Sequence, residues 1–140
     1  MKPYTIGLYE KAMPGNLSWR EKMLAAKEAG YDFIEISIDE TDEKLGRLEM
    51  SGEERLGLVV LMHGIGIPIR TMCLSGHRKY PIGSSDPEVR SKGMEIMEKA
   101  IILAEDLGIR IIQLAGYDVY YEKGSRRQAV LGRQIPTTTP

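Results

Sequence analysis

Apolar residues are concentrated in four short runs. These are Thr5-Ile6-Gly7-Leu8-Tyr9, Phe33-Ile34-Glu35-Ile36-Ser37-Ile38, Ile69-Arg70-Thr71-Met72-Cys73-Leu74 and Ile109-Arg110-Ile111-Ile112-Gln113-Leu114. They are rich in isoleucine and bounded by Gly, Pro or Asp, a pattern that predicts strands. The stretches between them carry helix signals. Ser18 stands three residues before Glu21, a capping-box spacing, and Gly30 is placed to end that helix in the left-handed region. Ser51 and Glu54 repeat the device, with Gly64 or Gly66 as the stop. Asp86 before Pro87 offers an N-cap and a first-turn proline, and Gly108 closes this longest helix. Its Val89, Gly93, Ile96, Ala100, Leu103 and Leu107 recur at three- and four-residue steps, so one face is expected to be buried.

Strand and helix therefore alternate and end on a fourth strand. Helices between sequential strands imply parallel pairing through right-handed crossovers. Strand starts fall about 28, 36 and 40 residues apart, close to the ~30 residues per unit of an eight-stranded (β/α) barrel. The expected fold is a parallel (β/α) half-barrel, the first four strands of a TIM barrel. A small doubly wound sheet is the rival, but no glycine-rich phosphate loop follows the first strand. The sequence divides into residues 1–122, the half-barrel, and 123–140, a basic tail. The tail's sparse apolar positions and its Pro136 and Pro140 argue against another packed helix, and an irregular or disordered segment is expected.

Composition narrows the function classes. The net charge is −1, which supplies no basic footprint for nucleic acid or an anionic membrane surface. No run approaches the roughly 18 apolar residues of a membrane span, and no signal-peptide apolar core follows Met1. The single cysteine, Cys73, rules out an internal disulfide and fits a reducing, cytoplasmic setting.

Candidate chemistry gathers at the strand ends, where a parallel barrel places its site. Glu10-Lys11 follows the first strand, Asp39-Glu40-Thr41-Asp42 the second, Ser75-Gly76-His77-Arg78 the third and Gly116-Tyr117-Asp118 the fourth. Glu35 lies inside a strand, where a carboxylate must be paired or face a polar lumen. Either Arg70 or Arg110 supplies the partner, or Glu35 faces a ligand. His77, with Arg78 and Lys79 beside it, has groups for a sugar hydroxyl or a phosphate; an ordinary loop histidine is the alternative. Cys73 and His77 form a conceivable nucleophile and base, but a cysteine inside an apolar strand usually acts as a small hydrophobe. His63 sits late in its helix, where it suits the C-terminal dipole. No metal-ligand spacing stands out, and the eight methionines read as core filler.

Several of these segments resemble one family. Gly7-Leu8-Tyr9-Glu10-Lys11-Ala12, Phe33 to Glu43, Met72-Cys73-Leu74-Ser75-Gly76-His77-Arg78 and Ile112 to Tyr121 are similar to the L-ribulose-5-phosphate 3-epimerases, also labelled hexulose-6-phosphate isomerases. These are xylose-isomerase-like TIM barrels. The resemblance implies inversion at carbon 3 of a ketopentose phosphate, in pathways that use L-ascorbate or related sugars. It also implies a divalent metal, Mn or Mg, that polarises the carbonyl, and two glutamates that exchange the proton. In that family the metal ligands and catalytic glutamates lie on the last four strands. No residue of this chain maps to them, so no bound metal is expected. Glu10, Glu35, His77, Arg78 and Gln113 map to the substrate wall. After Tyr121 the chain departs from the family pattern, and a truncated or frameshifted reading frame, inactive alone, is the expectation. A non-catalytic half-barrel that binds a partner, or dimerises through open sheet edges, is the alternative. A nuclease relative is disfavoured by the charge.

Overall fold

The computed structural model describes residues 2–115 and 119. The expected fourth strand-end group, Gly116-Tyr117-Asp118, and the tail, 123–140, lie outside them. Four strands, β1 (Gly7–Tyr9), β2 (Phe33–Ile38), β3 (Ile69–Leu74) and β4 (Ile111–Leu114), form one sheet in the order β1-β2-β3-β4. Every pair is parallel. This is the arrangement expected of sequential strands joined by helical crossovers. Strands β1 and β4 are shorter than the apolar runs that predicted them. Ile6 instead gives its backbone N–H to the Asp32 carboxylate at 2.8 Å. Ile109 gives its own to the Ala104 carbonyl, as part of the turn leaving the helix.

The helices are α1 (Trp19–Glu28), α2 (Asp42–Gly46), α3 (Gly52–Ile65) and α4 (Pro87–Leu107). Both capping boxes form, at Ser18 with Glu21 and at Ser51 with Glu54, satisfying orphan N–H groups at the two starts. Asp86 caps α4 through the Glu88 N–H, with Pro87 in the first turn. Gly66 and Gly108 end α3 and α4 at φ 85° and 77°, where a Cβ would be strained.

Side chains alternate across the sheet. Ile34, Ile36 and Ile38 of β2, and Met72 and Leu74 of β3, point to the helices and are fully buried. They share one core with Met23 of α1, Leu58 and Met62 of α3, and Ile96, Ala100 and Leu103 of α4. The opposite face carries Tyr9, Glu35, Ser37, Thr71, Cys73, Ile111 and Gln113. That is the face a closed barrel turns inward. Ile111 is 61% exposed and Leu114 50% exposed on β4. Among the described residues nothing pairs with the outer edge of β1 or β4.

Candidate functional site

The register decides which polar groups meet on the concave face. Tyr9 is level with Glu35, and Glu35 with Thr71; one row further along, Ser37, Cys73 and Gln113 are aligned. Thr71 donates its hydroxyl to Glu35 Oε2 at 2.7 Å. The partner of Glu35 is thus Thr71, and neither of the arginines considered from sequence. The pairing of β2 with β3 slips between Ile34 and Glu35, so Arg70 falls opposite no β2 residue and is exposed. The Tyr9 hydroxyl reaches Ser37 Oγ at 3.3 Å. Burial pushes the Tyr9 phenol up; the Ser37 hydroxyl opposes this, and the Cys73 thiol adds to it. A shallow hollow lined by Gly7, Tyr9, Phe33, Glu35 and Thr71 opens on this face.

At the strand ends, successive loops are tied by charge. Glu10, in the single 3-10 turn Glu10–Ala12 after β1, is 2% exposed. Its Oε1 accepts from Arg47 Nη1 at 2.6 Å and Lys44 Nζ at 2.9 Å, both supplied by the segment after β2. The same Arg47 nitrogen donates to the Ser37 carbonyl at 3.0 Å. Lys11 meets Asp39 at 2.7 Å, and Arg78 after β3 meets Glu40 at 3.5 Å. The buried His77 ring places Nε2 2.8 Å from the Gly93 carbonyl in α4, so with the proton on Nε2 it donates there.

The expected wall residues thus separate into two groups. Glu35 and Gln113 face the concave side. Glu10, His77 and Arg78 stand at the mouth, each engaged with a neighbouring loop or helix. The hydrogen bond of the His77 ring goes to the Gly93 carbonyl and not to the Cys73 thiol. Lys22, Lys44 and Arg47 around Glu10 were missed in the sequence, whereas Lys11 and Asp39 were placed at the strand ends but not read as a pair. Thr41 followed by Asp42 and Glu43 was the available signal for α2, as an N-cap with an acidic first turn.

Asp39 offers a pH test. Burial alone would raise its carboxyl, but the Lys11 ammonium and the hydroxyl and backbone N–H of Thr41 outweigh burial and bring it down to about 2. With the folded value below the unfolded one, stabilisation is complete above about pH 4 and is lost as pH falls towards 2. Its size is about 1–2 kcal/mol, reduced because Lys11 is 44% exposed and screened. The stability difference between wild type and Asp39→Asn, from urea unfolding, is expected to be flat from neutral pH to about pH 5 and to shrink below about pH 4. A difference that stays undiminished in stronger acid contradicts the pairing.

A divalent metal needs several converging carboxylate or imidazole ligands. No group of three or more His, Cys, Asp or Glu among the described residues is placed to hold one. Glu10 and Asp39 are taken by cations and His77 by a backbone carbonyl. The described residues do not fit a metal. Among them, no helix is long and apolar enough to cross a membrane.

Comparisons with known proteins bear on this arrangement. A family described as "Xylose isomerase-like TIM barrel" matches residues 23–134. L-ribulose-5-phosphate 3-epimerase UlaE of Salmonella heidelberg (strain SL476) is 52% identical over 124 residues, covering 89% of this chain and 44% of the relative. Putative L-ribulose-5-phosphate 3-epimerase SgbU of Escherichia coli (strain K12) is 53% identical over 135 residues, covering 94% and 47%. The chain spans under half the length of these curated relatives. A solved D-psicose 3-epimerase superposes with TM-score 0.68 at 18% identity, over 98% of this chain and 41% of that one. A solved L-ribulose 3-epimerase gives 0.60 at 25% identity, over 91% and 43%.

Proposed function

Because the chain belongs to the xylose isomerase-like TIM barrel family, we propose that it forms the substrate-wall half of a sugar-phosphate 3-epimerase acting on L-ribulose 5-phosphate. The observation that carries this reading is the 52% identity to an L-ribulose-5-phosphate 3-epimerase across 89% of the chain. The polar concave face agrees with it. Thr71, Glu35, Tyr9, Ser37 and Gln113 offer both donors and acceptors, as the hydroxyls of an open-chain ketose require. In this reading Glu35 and Gln113 bind and orient the sugar. Glu10, His77 and Arg78 hold the loops that shape the mouth and contribute polar atoms to its wall. Carbonyl polarisation by a divalent metal needs a ligand set that the described residues do not offer, and the family resemblance assigns the proton-exchanging glutamates to later strands. In the relatives such groups would belong to the remainder of the barrel.

The purified 140-residue chain, given manganese or magnesium, is therefore expected to leave L-ribulose 5-phosphate unepimerised. Co-folded with the C-terminal half of one of the curated relatives, it is expected to yield L-xylulose 5-phosphate. Metal-dependent turnover by the chain alone, or a folded complemented barrel with none, would overturn the reading.

A further inference from the structure

A second hollow lies outside the concave face, between the Glu10–Ala12 turn, α1 and α2. Glu10, Lys11, Lys22, Glu43 and Lys44 line it, with Met13 and Gly15. Its charges do not balance. Lys22, Lys44 and Arg47 surround one buried carboxylate, Glu10. Lys11 is already matched by Asp39, and Glu43 is 76% exposed and 3.9 Å from Lys44, where water screens it. Counting Glu43 at the rim, two carboxylates face three cations, and one positive charge is uncompensated.

Lys22 is the informative group. Its side chain is 5% exposed, yet it has no hydrogen-bond partner among the described residues. The nearest carboxylate oxygen, Glu10 Oε2, is 4.0 Å away, beyond hydrogen-bond reach, and is itself buried without a donor. The Trp19 ring supports both Lys22 and Arg47, at 4.7 and 5.0 Å from its centroid. Most of the Lys22 side chain is buried while its Nζ keeps some contact with solvent in the hollow, and burial is the main reason its basicity is lowered. An anion in the hollow would give Lys22 an acceptor and neutralise the excess. A phosphate group carries the negative charge and the acceptor oxygens to do both.

We propose that this hollow is a phosphate subsite, with Lys22 and Lys44 as its cations and Lys11 at its rim. That the phosphate belongs to the substrate rests on the sugar-phosphate reading above; phosphate binding itself does not. In the competing account the three cations serve only to neutralise Glu10.

The test is titration of the full chain with inorganic phosphate, followed by NMR or calorimetry, against sodium chloride at equal ionic strength. Titration with L-ribulose 5-phosphate and with L-ribulose separates free phosphate from the sugar's own. Phosphate is expected to bind beyond the chloride control. Lys22→Gln should weaken it about tenfold or more, and Lys22→Arg should retain it. The phosphorylated sugar should bind and the unphosphorylated sugar should not compete with phosphate. Phosphate acting no better than chloride, or binding a folded Lys22→Gln chain as well as wild type, overturns the subsite. Lys22-dependent phosphate binding beside an inactive complemented barrel would uphold the subsite and sink only the epimerase reading.

Discussion

Replacing Glu10 with alanine is expected to destabilise the chain by about 3 kcal/mol, at the lower end of the range for breaking a buried charge cluster. The carboxylate is 2% exposed and holds together segments 34 and 37 residues apart, through Lys44 and Arg47. Removing it strips the counter-charge from three cations that stay where the fold has put them. Lys44 and Arg47 are 13% and 12% exposed and can turn partly to solvent, but Lys22 at 5% cannot without leaving the α1 face. The loss also reaches the backbone, because the Arg47 nitrogen that binds Glu10 also binds the Ser37 carbonyl. Urea unfolding of Glu10→Ala and Lys22→Gln makes the comparison. Lys22→Gln should cost far less, since it removes a charge already in excess. A Glu10→Ala loss below about 1 kcal/mol would show that the cations resolvate freely, as exposed pairs do.

Gly93→Ala is expected to cost about 2–3 kcal/mol, although alanine favours a helix interior by ~1 kcal/mol. A Cβ at Gly93 would lie 2.5 Å from the Tyr80 carbonyl oxygen, with Ile82 atoms at 3.3 and 3.4 Å. The first obstacle is backbone, so no side-chain rotation relieves it. The loop after β3 must move away from α4, although Ser84 pins it to the first turn of α4 by accepting the Asp86 N–H at 3.0 Å. The shift would also stretch the His77 to Gly93 hydrogen bond, coupling a packing defect to the mouth of the sheet. Gly57→Ala in α3 is the control, because nothing lies within 4 Å of its Cβ position. There the propensity term acts alone, and a gain of about 0.5–1 kcal/mol is expected. Thermal and urea unfolding of both variants should give opposite signs. Stabilisation by Gly93→Ala would mean that the loop is free to move.

The elements were legible because their signals are local. Ser18 with Glu21, and Ser51 with Glu54, are pairs three residues apart whose hydrogen bonds form as soon as the first turn does. The α4 face was readable for the same reason, from Gly93 to Leu107. Helix α2 was not, since five residues from Asp42 to Gly46 are too few to show a period. With α2 missed, so were Lys44 and Arg47 and their bonds to Glu10, which was read as a wall residue.

The parallel order of the strands, and the end at which the polar residues gather, follow from the alternation of strand and helix, which is legible in the sequence. Which of those residues touch was decided only by the tertiary structure. Register on both sides of the slip at Ile34 and Glu35 put Thr71 beside Glu35 and left Arg70 exposed. The turn after β1 brought Glu10 to the cations of α1 and α2. The interior of α4 took up His77 through one backbone carbonyl. These contacts join residues from 12 to 37 positions apart. Their energies depend on distances of a few ångströms that no local pattern encodes, because a one-residue change of register would give every strand side chain a different neighbour.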